Sequence, residues 1–317
     1  LVGYLYALLA ALLFGMNGSV TRVVMDAGLT ASQLTLFRVA TAAVIAGIYL
    51  LVANRAAFTV TVRQLVILGL LGVLGVAMLQ FTYAVAISLM PIGITLLLEY
   101  IAVLLVALVA FFVFREKVKP RLWVAIGCVL IGLVFVAQIW ASELNPLGVI
   151  FAMLAATMLT IYFVVGEREV GRTSPMAVAF WTMSFATVFW LIFGGWWDID
   201  PAIFTETVSL SGNLDEIWLP FWVPLLWNMV LGSFAPFFLS LLALKYLSAT
   251  AAGVVASSEV LFAFLVAWLW LGEGLGPLQT VGAATVLVGI VLAQTARVNK
   301  VVDANLALSD SPEQSLA

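Results

Sequence analysis

The sequence predicts an all-α integral membrane protein of ten transmembrane helices, built as two inverted five-helix repeats, and three observations carry that prediction. Of the 317 residues, 65% are hydrophobic and 9% are charged, whereas a soluble domain keeps roughly a quarter of its residues charged to satisfy a water-facing surface. The apolar residues gather into ten stretches of membrane-crossing length. The chain also repeats itself at matched offsets.

A helix needs about 20 mostly apolar residues to cross the hydrocarbon core. The predicted spans are Leu1 to Val24, Ser32 to Val52, Gln64 to Ile87, Pro91 to Phe114, Arg121 to Ile139, Pro146 to Val165, Pro175 to Gly194, Leu219 to Leu244, Ala249 to Leu271 and Pro277 to Ala296. The first is not a cleaved signal, because it exceeds an h-region of about 7 to 15 residues and many similar stretches follow. With Leu1 rather than Met at the start, a short preceding segment is expected. Connections are short except Trp196 to Trp218, which holds Asp198, Asp200, Glu206, Asp215 and Glu216 and no Lys or Arg. Residues 297–317 turn polar and hold too little apolar surface to fold alone, so a disordered cytoplasmic tail is expected there.

Lys and Arg accumulate in cytoplasmic loops, which sets the orientation. With ten spans and both termini inside, the cytoplasmic set is Arg55, Arg63, Arg115, Lys117, Lys119, Arg121, Arg168, Arg172, Lys245, Arg297 and Lys300, and Arg22 alone falls outside. Adding or removing one span scrambles that partition. The expected location is therefore a cell membrane, with both ends cytoplasmic.

The repeats cover residues 1–140 and 145–296. Gly3 with Leu9-Ala10-Ala11 matches Gly148 with Leu154-Ala155-Ala156 at an offset of 145. An offset of 160 pairs Gly72 with Gly232, Ser88 with Ser248, Gly93 with Gly253 and Glu99 with Glu259, and Val129-Leu130-Ile131-Gly132 echoes Val286-Leu287-Val288-Gly289. Five helices per unit is an odd number, so the second copy is expected to enter the membrane in the opposite sense. Secondary transporters use that arrangement for alternating access.

Composition excludes much else. There is no His, which removes the commonest general base and metal ligand, and the lone Cys128 can form neither a disulfide framework nor a thiolate cluster. An enzyme is not expected, and no cofactor is called for. A net charge of −3 with no basic stripe argues against nucleic acid as a partner.

The run Leu97-Leu98-Glu99-Tyr100 through Phe114-Arg115-Glu116-Lys117, with its counterpart Ser258-Glu259-Val260-Leu261 through Leu271-Gly272-Glu273, resembles the drug/metabolite transporter superfamily, EamA type. The resemblance runs from about Leu1 to Gln294. It implies ten helices and export of amino acids or related metabolites. That family commonly places Pro after the mid-helix Glu, where this chain has Tyr100 and Val260.

Glu99 and Glu259 are predicted near the bilayer midplane at equivalent places in the two repeats. A charged carboxylate facing lipid there costs several kcal/mol, so each should face a cavity, find a partner or hold a proton. They are the candidate groups for proton exchange or for gripping a substrate ammonium. The alternative is a structural Glu bonded to a neighbouring helix end. For Glu259 that alternative is favoured slightly by a stripe of small residues, Ala252, Ala256, Ala263 and Ala267, which suits close packing. Arg38 lies about six residues inside the second span and carries a planar fork suited to carboxylates. It is expected to bind a substrate carboxylate, to pair with Glu99, or to snorkel to the outer headgroups.

Asn17, Gln80, Tyr162 and Trp181 are polar or amphipathic groups inside spans, suited either to lining a cavity or to joining helices. Trp196, Trp197, Trp218 and Trp222 suit an interfacial belt. Pro236 should kink the eighth span and serve as a hinge or as fixed shape. Glu116 and Glu273 close their helices at the membrane surface. The partners expected are a small-molecule solute, protons and the lipid bilayer. A carrier of cationic compounds and a passive channel remain as alternatives to amino-acid export.

Overall fold

The computed structural model describes residues 1–90, 92–113, 120–137, 145–271 and 276–295. Arg115, Glu116, Lys117, Lys119, Glu273, Arg297, Lys300 and the tail 297–317 lie outside the described residues.

Several helix starts follow from short polar side chains that satisfy the first free backbone amides. Thr30 and Gln33 form a reciprocal capping box that opens α2 (Ala31–Ala53), and Thr61 with Gln64 does the same for α3 (Val62–Leu70). Asn145 and Ser174 cap α8 (Pro146–Arg172) and α9 (Pro175–Phe193), each with proline at the first helical turn, where its missing N–H costs nothing. The chain begins with α1 (Val2–Asp26) and closes each half with α7 (Pro120–Ala137) and α14 (Pro277–Thr295). Seven described helical stretches are long and apolar enough to cross a membrane, and Ile101–Phe112, Pro120–Phe135 and Pro277–Gly289 are shorter apolar helices, giving ten segments in all. Large apolar side chains such as Phe112, Phe193 and Leu269 stay exposed on outward faces, as a lipid-facing surface requires.

Four spans are not continuous α-helices, and they fall at equivalent places in the two halves. The third span widens into a π-helical stretch at Leu71–Met78 before α4 (Leu79–Leu89). The eighth runs through α10 (Trp222–Met229), a π-helical turn at Val230–Phe234, and α11 (Ala235–Tyr246). The fourth span breaks between α5 (Ile92–Glu99) and α6 (Ile101–Phe112), and the ninth breaks between α12 (Ala249–Ala256) and α13 (Glu259–Leu271). No proline marks either break. The eighth span departs from regular geometry just before Pro236, which stands in the first turn of α11.

The packing repeats too. α7 lies against α14 and α2 against α9, while α1 meets α11 as α8 meets α4. Glycines let the first pair approach closely: a Cβ at Gly132 would stand 2.7 Å from the Gly282 carbonyl, and one at Gly289 would stand 2.9 Å from the Ala125 carbonyl. Gly132 also meets Val286, and Gly289 meets Val129, so the contact maps onto itself when the halves are exchanged.

The all-helical expectation needs one small amendment. The loop from Trp196 to Trp218 contains three 3-10 turns and contributes β1 (Thr207–Ser209), which pairs antiparallel with β2 (Trp218–Pro220). This polar segment has no helical periodicity, and pairing satisfies its backbone groups. Its tryptophans Trp196, Trp197 and Trp218, with Trp222 just beyond, are all exposed.

Candidate functional site

The broken helices converge on one cavity of about 60 Å³, which residues just after the two widened turns also line. Ligand sites for drug-sized molecules run to about 300–1,000 Å³, so in this conformation there is room for a small solute or a few waters. Glu99 ends α5 and Glu259 begins α13, and both line this space. Arg38 from α2, Asn17 from α1, Gln80 from α4 and Tyr162 from α8 line it as well. Six of the seven residues singled out from the sequence are thus brought together.

Trp181 is the seventh, and it does not line the cavity. The buried side of α9 carries Val178, Ala179, Thr182, Met183 and Ala186, with the Thr182 backbone pressed against Gly72. One residue is about 100° of helix, so Trp181 points away from that side. It packs among rings instead, 5.2 Å from Phe180 and 6.3 Å from Phe185 between centroids.

Arg38 is 3% exposed, which rules out snorkelling. It does not pair with Glu99 either. Its Nη2 donates to the Gly232 carbonyl at 2.9 Å. The reason lies four residues on: in an α-helix Gly232 would receive the N–H of residue 236, and Pro236 has none. Pro236 therefore frees a backbone acceptor that an arginine from another span takes up. Gly232 has no room for a side chain, because Asn17 lies against it.

Several buried polar atoms around the cavity have no hydrogen-bond partner: Arg38 Nε, both amide atoms of Gln80, Glu99 Oε2 and Asn17 Oδ1. Each such atom costs about 1–3 kcal/mol when left unpaired. Five of the eleven such atoms found among the described residues belong to this one cavity, as suits a solute-binding or hydrated site. Asn17 also does structural work. Its Nδ2 donates to Thr21 Oγ1 at 3.2 Å, and the same oxygen accepts from Asn228 Nδ2 at 2.9 Å, which ties α1 to α10. Tyr162 likewise donates to the Phe237 carbonyl at 3.1 Å while lining the cavity.

Glu259 is held by Tyr100, whose hydroxyl donates to Glu259 Oε2 at 2.6 Å and also stands 2.8 Å from the Ala256 carbonyl. A Cβ at Gly15 would lie 2.7 Å from the Glu259 carbonyl, so glycine lets α1 press directly on the break. Sequence reasoning missed Tyr83, Tyr100, Phe14, Phe237 and Ser240, all of which line the cavity. Tyr83 was accessible in principle, being three residues from Gln80 and hence on the same helix face. Ser240 was accessible through the 160-residue offset that relates it to Gln80.

Comparison with known proteins agrees with this architecture. A relative from Archaeoglobus fulgidus described as an uncharacterized transporter is 27% identical over 228 residues, covering 69% of this chain and 75% of that protein. A solved crystal structure superposes with a TM-score of 0.72 at 16% identity, covering 92% of this chain and 96% of that one, which speaks for the fold alone. The EamA-like transporter family matches twice, over residues 1–138 and 146–295, one copy for each set of five spans. The chain belongs to the EamA-like transporter family.

Proposed function

We propose that this membrane transporter is a secondary carrier that moves amino acids or related small metabolites outward by alternating access, with protons exchanging on Glu99 and Glu259. The observation that carries the reading is one buried cavity holding two carboxyls and an arginine, each contributed by a different span. A zwitterion needs both signs of partner. The unspent Nε of Arg38 suits a carboxylate, and the unspent Oε2 of Glu99 suits an ammonium. Broken helices at the site supply free backbone ends and points of movement. Five spans per half put the second half into the membrane in the opposite sense, which lets one half rock against the other around the cavity. No nucleotide-binding loop occurs in the sequence, so an ion or solute gradient drives the cycle.

A carrier of cationic compounds is the second reading. Phe14, Tyr83, Tyr100, Tyr162, Phe163 and Phe237 surround the two glutamates, and aromatic faces attract quaternary or guanidinium groups. Arg38 in the same space argues against it. A thermal-shift screen of the purified protein against amino acids, nucleosides and quaternary amines separates the two, because a ligand that binds only the folded state raises the melting temperature. Stabilisation by quaternary amines alone would overturn the amino-acid reading.

A further inference from the structure

Tyr100 stands between two acceptors with one proton to give. Its hydroxyl oxygen is 2.6 Å from Glu259 Oε2 and 2.8 Å from the Ala256 carbonyl. The Ala256 carbonyl is available because the ninth span breaks there: the Val260 N–H, its α-helical partner, goes to Ser257 at 3.3 Å instead. A hydroxyl is one donor and an acceptor. Both short contacts are satisfied together only when Glu259 carries a proton and donates it to the Tyr100 oxygen, leaving Tyr100 to donate to Ala256. When Glu259 is ionised, the Tyr100 proton turns to Oε2 and the Ala256 carbonyl is released.

We infer that Tyr100 is a positioning residue that reads the protonation of Glu259 and passes it to the end of α12, making or releasing a hydrogen bond across the break between α12 and α13. The inference rests on proton exchange at Glu259. The balance is simple: the proton that leaves Glu259 goes to the cavity, and the Tyr100 proton remains on Tyr100 while changing its acceptor. The fourth span of one half thereby controls the break in the ninth span of the other. Glu259 shares its cavity with Arg38 from α2, Tyr83 from α4 and Glu99 from α5, and α1, which presses Gly15 on its backbone, adds the uncharged Phe14 and Asn17. Among these groups Tyr100 alone bonds to its carboxyl.

Tyr100 lies at the break, next to Glu99, and both line the cavity. Tyr100 is the one residue between α5 and α6.

Infrared difference spectroscopy tests this without a substrate. Purified protein labelled with ring-13C tyrosine is titrated with pH, and Glu259→Gln and Tyr100→Phe are compared with wild type. The expected result is a tyrosine band that moves in step with a protonated-carboxyl band. Glu259→Gln should abolish both changes. Tyr100→Phe should abolish the tyrosine change and displace the frequency of the carboxyl band, which has lost its acceptor. A carboxyl band that titrates while no tyrosine band responds overturns the inference and leaves proton exchange at Glu259 standing. A tyrosine response that survives Tyr100→Phe also overturns it. If Glu259→Gln removes no titrating carboxyl, proton exchange at Glu259 fails and the inference falls with it. Should Tyr100→Phe not fold, the wild-type and Glu259→Gln spectra still decide whether a tyrosine follows Glu259.

Discussion

The guanidinium of Arg38 is anchored to the Gly232 carbonyl, an acceptor that exists because Pro236 cannot supply an N–H. The anchor uses one arm of the fork and leaves Nε unspent beside the cavity. A lysine cannot serve both ends, since it is a single point charge on a flexible stem. Arg38→Lys is therefore expected to fold and to lose tenfold or more in affinity for whichever solute stabilises the wild type, the equivalent of about 1.5–3 kcal/mol for one charged hydrogen bond. Calorimetric titration of wild type and variant checks this, and equal affinities would remove Arg38 from solute binding.

Glu99→Gln keeps the shape of the side chain and removes its exchangeable proton. Coupled transport is expected to be lost or severely slowed at an unchanged melting temperature. The measurement is flux in liposomes, driven by a pH gradient and, separately, as solute exchange at equal pH. Loss of driven flux alone marks Glu99 as the proton carrier, and loss of both marks it as a solute ligand. Unaltered driven flux would refute a role for this carboxyl.

The seam between α7 and α14 depends on two glycines in reciprocal contact with Val129 and Val286. Gly132→Val and Gly289→Val should each destabilise by about 1–3 kcal/mol through overpacking. Gly127→Ala is the control: nothing lies within 4 Å of its added Cβ and alanine suits a helix interior better than glycine, so its melting temperature should hold or rise slightly. Equal melting temperatures for all three variants would show that the seam is not tightly packed.

The distribution of Lys and Arg predicts that the end of α8 lies inside the cell and the loop bearing β1 outside. Single cysteines at Gly171 and Glu206, in a protein lacking Cys128, test it. An impermeant thiol reagent added to intact cells should label Glu206→Cys and spare Gly171→Cys. The reverse pattern would invert the topology.

The ten spans were legible in the sequence because about 20 apolar residues are a long signal, and bilayer thickness imposes it on every span alike. The 160-residue offset pointed to Glu99 and Glu259 together, and both line the cavity, Glu99 just before the break in its span and Glu259 just after the break in its own. The breaks beside them were not legible. Tyr100 and Ser257-Ser258 carry no proline or glycine, so nothing local distinguishes them from helix interior. The widened turns are also silent, since a π-helical turn is a property of packing more than of composition. That is why Tyr100 escaped notice while its neighbour Glu99 did not. Trp181 fails for a related reason: which side of α9 faces inward is decided by Gly72 pressing on Thr182, a contact between halves that no single span announces. Arg38 shows the limit of symmetry. At the 145-residue offset its counterpart is Met183, so the charge that distinguishes one side of the cavity has no partner in the repeat.

The π-helical stretches in the third and eighth spans make the site tolerant of chain length at those two points. Each wide turn holds about one residue more than an α-turn of the same angle, so the extra residue is absorbed locally and the residues after it keep their direction. Removing one residue, such as Val73 from the first stretch or Leu231 from the second, would let the α-helical ladder close there while the remainder of the span keeps its face to the cavity. Downstream of the first stretch lie Gln80 and Tyr83, and downstream of the second lie Phe237 and Ser240, all of them lining the cavity. Single-residue deletions at these points would therefore leave those side chains facing the solute, whereas the same deletion in a regular α-helical stretch would swing everything after it by about 100°. A homologous chain one residue shorter at either point would keep its cavity on the equivalent positions, with the gap placed inside the π-helical stretch.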